Sequence, residues 1–241
     1  LRLFPGRWAH AYALGGERPS IQVFDRDGIA AHKVYATGET DRDAWSAMLR
    51  DLALDAAPAP PEAPPSPTSE AEGDVDATAL RQTWLGLRDT HDFFPMLRQH
   101  RATRRQAFRL AGEDLALPLA PQAAAGTLEL AAAGQVPIMV FVGNRAAIQI
   151  HTGPVRRVQP MQDWCNVLDP DFNLHLREAG VAAAWRVVKP TEDGAVTSIE
   201  LLDAAGEVRR RGDGERVLLG RDRPAQPQPG ELARGEVPVV V

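Results

Sequence analysis

Ser20-Ile21-Gln22-Val23-Phe24-Asp25-Arg26-Asp27-Gly28 and, far later in the chain, Ser198-Ile199-Glu200-Leu201-Leu202-Asp203-Ala204-Ala205-Gly206 are two versions of one pattern. Each is an alternating run that begins at serine and ends in Asp-x-x-Gly, the composition of a strand entering a tight turn. Each is preceded by a second strand-like run holding a tryptophan, Trp8 before the first copy and Trp185 before the second. Each copy therefore reads as an antiparallel hairpin, and the two together as an internal duplication.

The second copy has a long stretch of chain before its hairpin and the first has almost none. If the halves are duplicates, the first is incomplete. The segment Ala56-Ala57-Pro58-Ala59-Pro60-Pro61, continuing through Ala77, is rich in Pro, Ala, Ser and acid. It has too little apolar surface to pack and reads as a semi-extended linker. The expected division is residues 1–55 as the end of a first repeat, 56–77 as linker, 78–218 as a second repeat and 219–241 as an irregular tail.

Within the second repeat, Leu80, Trp84, Leu87, His91 and Phe94 recur at helical spacing, which predicts a helix over 77–97, kinked near His91 by Pro95. A second helix is expected over 103–111 with Thr103 as its N-cap, and a third over 122–133. Strands are expected at 138–142, 146–151, 155–160, 172–176, 182–188, 196–203 and 207–211, with a tight hairpin around Gly143-Asn144. The fold class is α+β: a duplicated domain, each half an antiparallel β-sheet with packed α-helices, the first half incomplete.

The 241 residues carry a formal net charge of -5, unevenly spread. Asp55, Glu62, Glu70, Glu72, Asp74 and Asp76 lie in a stretch without Lys or Arg, whereas 81–109 holds seven arginines against Asp89 and Asp92. That cluster is either a solvated face or the mark of an anionic partner. A nucleic-acid-binding regulatory module is the remote alternative; nucleic acid is not the expected partner, because no binding motif or aromatic interleaving accompanies the arginines. The single cysteine, Cys165, rules out an internal disulfide framework and fits a reducing compartment. No apolar run is long enough for a transmembrane helix, and the first residues lack a signal-peptide layout. Metal-protease and zinc-cluster spacings, phosphate-binding loops and the G-x-S-x-G elbow are all absent.

His91 is the residue most open to a chemical role. Packing is the commoner fate of a histidine on an apolar helical face. Here, however, it adjoins Phe93, Phe94 and the arginine cluster, and imidazole is a standard axial ligand of haem iron whose propionates pair with arginine. Lys189 ends a strand and enters the turn Pro190-Thr191-Glu192-Asp193-Gly194, either as an ordinary loop or as a cation aimed at an anion.

Longer motifs sharpen the reading. Leu1-Arg2-Leu3-Phe4, His32-Lys33-Val34-Tyr35, Thr90-His91-Asp92-Phe93-Phe94, Phe141-Val142-Gly143-Asn144-Arg145, Ile148-Gln149-Ile150-His151-Thr152-Gly153, Asp163-Trp164-Cys165-Asn166-Val167-Leu168 and Lys189-Pro190-Thr191 through Val196-Thr197-Ser198 succeed one another in the order found in the HemS/ChuS/PhuS family. The chain resembles that family over nearly everything up to Arg216 except the linker. The resemblance implies a cytoplasmic bacterial protein with haem as its cofactor or cargo, used in haem transport and utilisation. It also implies two similar halves with haem in a cleft between them, most of the first half lying before Leu1. Some members degrade haem oxidatively; others are carriers, and a haem importer or a haem oxygenase is the implied protein partner. Carried over by position, His91 is the axial iron ligand, Arg2 the distal arginine with a tentative catalytic role, Arg104 and Lys189 the propionate cations, and Arg216 a further basic residue of the pocket. The chain departs from the family in having Asp213 where a tyrosine is usual, and in lacking the usual tryptophan-containing C-terminal helix.

Overall fold

The structure, a computed structural model, describes residues 1–54 and 72–203 and the backbone of Val217–Gly220. These residues group into two compact units. Residues 1–54 and 143–148 belong to the first; residues 72–142, 149–203 and 217–220 belong to the second.

The first unit opens with β1 (Arg2–Leu3), which pairs antiparallel with Ala147 and Ile148. β2 (His10–Leu14), β3 (Ser20–Phe24) and β4 (Ala30–Tyr35) form an antiparallel meander. Asp25 closes the turn after β3: its Oδ1 accepts from the amides of Asp27 at 3.0 Å and Ile29 at 2.9 Å, and Gly28 supplies the positive φ of 74° that the turn requires. Helix α1 (Arg42–Leu52), which periodicity did not reveal, starts at Asp41, whose carboxylate accepts from the amides of Asp43 and Ala44. Asn144 accounts for its motif in mechanical terms. Its Oδ1 accepts from the amides of Ala146 and Ala147, and its Nδ2 donates to the carbonyls of Ala30 and Ala31. The buried core of this unit is Val23, Ala31 and Ala146, with Trp8 and Ile21 against them.

In the second unit, α2 (Ala77–Leu85) is capped by Asp76 and ends at Gly86. A single 3-10 turn, Thr90–Asp92, comes next, and then α3 (Phe93–Gln99). The continuous kinked helix expected over 77–97 is thus two helices. The break is at Gly86, and Pro95 does not bend anything: it sits in the first turn of α3, where its missing N–H would have had no intrahelical partner. The break also resets the helical phase. Leu80, Trp84 and Leu87 are buried as expected, but His91 and Phe94 are exposed, and α3 buries Phe93, Met96 and Leu97 instead. Helix α4 (Arg104–Leu110) begins at Thr103, whose hydroxyl accepts from the Gln106 amide at 3.1 Å. The chain continues through β5 (Ala116–Leu119), α5 (Ala123–Ala133), β6 (Ile138–Gly143), β7 (Ala147–Gly153), β8 (Val158–Met161), β9 (Trp164–Leu168), β10 (Asn173–Arg177), β11 (Ala183–Lys189), β12 (Val196–Leu202) and β13 (Val217–Gly220). The larger sheet runs β7-β6-β13-β12-β11-β5, and the smaller β10-β9-β8.

Alternation along β12 explains why it is buried from Ser198 to Leu202. Ile199 and Leu201 join α5 and the smaller sheet in one core, with Ile138, Val140, Cys165, Val167 and Leu176. Leu202 faces the other way, into a core with Trp84, Phe93, Met96, Phe108 and Val187 from α2, α3, α4 and β11. Ser198 and Glu200 share the face of Leu202.

The two hairpins behind the duplication are both present, each an antiparallel pair. Their registers correct one detail. Tyr12 lies opposite Gln22 and Trp185 opposite Glu200, so the counterpart of Trp185 is Tyr12, not Trp8. Trp8 instead donates its indole N–H to the carbonyl of Ala146 at 3.2 Å.

Candidate functional site

The site builds up from Glu200. Its side chain is fully buried at the centre of β12, on the face that looks toward α3 and α4. One carboxylate oxygen, Oε1, takes the Lys189 ammonium from the neighbouring strand β11; the other, Oε2, takes the Arg104 guanidinium from the first turn of α4. The hydroxyl of Ser198 lies 3.4 Å from Oε1. Aromatic rings cover the cations. The Arg104 guanidinium carbon is 5.2 Å from the ring centre of Phe93 and 4.7 Å from that of Phe94, and Lys189 Nζ is 4.7 Å from that of Phe93.

Burial alone would push the Glu200 carboxyl up. The charges of Arg104 and Lys189 outweigh it and hold the group at about 2. Burial pushes the Lys189 ammonium down, and the Glu200 carboxylate works against that. Two basic side chains share one carboxylate, so with both protonated the cluster carries one positive charge in excess in a nearly dry setting. A further carboxylate is the ligand chemistry that would neutralise it.

His91 lies on the same unit, in the turn that leads into α3. Its side chain is 70% exposed, and its Nδ1 is 2.6 Å from Asp89 Oδ1. The same Asp89 oxygen accepts from the His91 amide at 2.7 Å, which fixes the turn, and hydrogen bonds from His91 hold the Asp89 carboxyl below its ordinary range. An imidazole anchored at Nδ1 by a carboxylate is oriented to bind a metal through Nε2. The turn is fastened to the Lys189 loop: the Glu192 amide donates to the Arg88 carbonyl at 3.0 Å, the Arg88 and Glu192 side chains pair, and Trp84 Nε1 donates to the Val188 carbonyl at 2.9 Å.

Of the residues singled out from sequence, Arg104 and Lys189 are therefore brought together on one buried carboxylate, and the His91 turn is tied to the loop after Lys189. Arg2 is on β1 in the first unit, exposed. Arg216 and Asp213 lie outside the described residues. Glu200 was missed, because Ser198 and Glu200 make β12 read as a strand with a polar outward face. The arginine stretch is largely matched within the chain, by Arg81–Asp114 at 2.7 Å, Arg88–Glu192, Arg104–Glu200, and Arg105 and Arg109 with Glu72. Among the described residues no group of His, Cys, Asp and Glu is arranged as a bare-metal site, and no helix is long and apolar enough to cross a membrane.

A family model described as the haemin-degrading HemS.ChuX domain matches residues 1–52 and 101–209. Arg2, Arg104, Lys189 and Glu200 fall inside those stretches, and His91 between them. The chain is 42% identical over 211 residues to the hemin transport protein HmuS of Yersinia pestis, covering 86% of this chain and 61% of that protein. Among solved structures, apo-PhuS, a heme-binding protein from Pseudomonas aeruginosa, superposes with a TM-score of 0.83 at 43% identity, over 97% of this chain and 66% of that one. The heme degrading enzyme ChuS of Escherichia coli O157:H7 superposes with a TM-score of 0.81 at 41% identity, over 94% of this chain and 66% of that one. The chain spans 61% of the length of the curated relatives it matches.

Proposed function

The chain belongs to the haemin-degrading HemS/ChuX domain family, and on that premise we propose that it binds haem for intracellular haem transport and utilisation, in the cytoplasm. The observation that carries the reading is the anchored His91 imidazole on a turn fastened to the buried Arg104–Glu200–Lys189 cluster with its excess positive charge. These residues fit haem. His91, with Nδ1 held by Asp89, would be the residue to hold the iron, through Nε2. Arg104 and Lys189 would hold a propionate, and the Phe94 ring, 47% exposed, would give the flat ligand an apolar neighbour. Bound haem supplies the iron and the porphyrin on which any oxygen chemistry takes place.

Arg2 as a distal-side donor and Arg216 as a further pocket cation belong to the same proposal, as does the division into repeats at 1–55 and 78–218 joined by the 56–77 linker. Two readings differ in the fate of the bound haem: oxidative degradation with release of iron, or carriage to a haem oxygenase. The relatives divide the same way, HmuS being described as a transport protein and ChuS as a degrading enzyme. Titration of the full chain with haemin, followed in the Soret region, is expected to saturate at one equivalent; a featureless titration contradicts the reading. Adding a reductant and oxygen with catalase present then separates the two. Bleaching that Arg2→Ala slows marks degradation, and a stable spectrum marks a carrier.

A further inference from the structure

Glu200 stands where a doubly covered strand ordinarily carries an apolar side chain. A buried carboxylate is costly unless its lone pairs are engaged. Here Oε1 takes Lys189 and Oε2 takes Arg104. The duplicated hairpin supplies an internal comparison. At the same register position the first unit has Gln22, half-buried, whose Nε2 lies 3.4 Å from Ser20 Oγ just as Glu200 lies beside Ser198. The position corresponding to Lys189 falls in the turn between β2 and β3, where no lysine stands. The strand pattern by itself therefore does not require an acid, and the ionic cluster is a feature of the second hairpin alone.

We propose that Glu200 is a positioning residue: with one cation on each carboxylate oxygen, it holds Arg104 and Lys189 charged and oriented in the ligand-free protein, so that a ligand carboxylate is received without proton uptake. The inference rests on the haem reading for the identity of that ligand and goes beyond it in how the site is kept ready. The charged groups acting on the Lys189 ammonium are Glu200 from β12, which favours the proton, and Arg104 from α4, which opposes it; from α3 it meets the Phe93 ring. Removing Glu200 leaves a buried lysine facing only an arginine among these charges, and such a lysine gives up its proton. A ligand carboxylate must then restore it.

The test is calorimetric titration of haemin into the full-length wild type, E200Q and E200Q/K189M, at about pH 8, in two buffers of different ionisation enthalpy. E200Q is expected to take up more protons than wild type, approaching one per haemin, with affinity weakening up to about tenfold per pH unit above the Lys189 midpoint. E200Q/K189M keeps the wild-type excess charge and has no lysine to reload, so its uptake returns to the wild-type value. Equal uptake in wild type and E200Q overturns the proposal. Failure of the wild type to bind haemin refutes the haem reading instead, and the role of Glu200 is then read in the apoprotein. There, E200Q should gain thermal stability relative to wild type as pH rises through the lowered Lys189 midpoint toward about 10.4, the unfolded value, because the unfolded state binds the extra proton. Parallel profiles for the two proteins overturn it.

Discussion

At the residue scale, Glu200 is the side chain on which stability and site chemistry meet. Replacing it by glutamine keeps the shape and leaves the Arg104 guanidinium and the Lys189 amine buried without their carboxylate. Breaking a buried pair in this way costs about 3–5 kcal/mol, so apo E200Q is expected to unfold at a clearly lower temperature or denaturant midpoint at neutral pH; an unchanged midpoint would mean the cluster is solvated. The acid limb has a definite sign. Glu200 is held at about 2 in the folded protein, below its unfolded value of about 4.3, so its contribution is fully present above the unfolded value and is lost as pH falls toward the folded one. Wild type should therefore lose stability across that window more steeply than E200Q. Lys189 and Arg104 were legible in the sequence through their motifs, but their mutual carboxylate was not. In Ser198-Ile199-Glu200-Leu201-Leu202 an alternating strand with one exposed polar face and a strand covered on both faces look alike, and only the second makes the glutamate energetically costly.

At the element scale, α4 carries Arg104 in its first turn, so its N-cap positions a site residue directly. Thr103→Ala removes the acceptor for the Gln106 amide and is expected to cost about 1 kcal/mol of stability and to weaken haemin binding modestly through looser placement of Arg104. Loss of stability with unchanged affinity would show that Glu200 alone fixes Arg104. The cap was readable because threonine before a polar-apolar helical run is a local signal. The α2–α3 break was not, because Leu80, Trp84, Leu87, His91 and Phe94 keep helical spacing across a gap where the chain is not helical. Gly86 and Asp89, an end signal and a start signal close together in the chain, outweigh periodicity there. Strand β9 was quoted as a motif without being read as a strand: Trp164-Cys165-Asn166-Val167-Leu168 buries Cys165, Asn166 and Val167 in succession and so lacks alternation.

At the scale of the whole molecule, burial is unevenly shared. Among the described residues, the second unit has two cores, one on each face of its larger sheet, whereas the first has Val23, Ala31 and Ala146 with two partly buried neighbours. Amides of β11 and β12 are accordingly expected to exchange slowly, near the global unfolding limit, and those of β2 to β4 much faster. Equal protection in both hairpins would contradict the uneven packing. The duplication itself was legible because a strand ending in Asp-x-x-Gly is a compact local signal repeated twice. The pairing of Tyr12 with Gln22 was not, since the two hairpin loops differ in length and only the register reveals which residues face each other.

Haem binding by His91 beside the Arg104–Glu200–Lys189 cluster is tested most directly by the absorption spectrum of haemin bound to His91→Ala. The turn stays formed by Asp89 and the cation cluster is untouched, so the variant should still bind haemin, more weakly, with a shifted Soret band from altered iron coordination. A spectrum identical to wild type at full occupancy, with only a lowered apoprotein melting temperature, would contradict the ligand assignment.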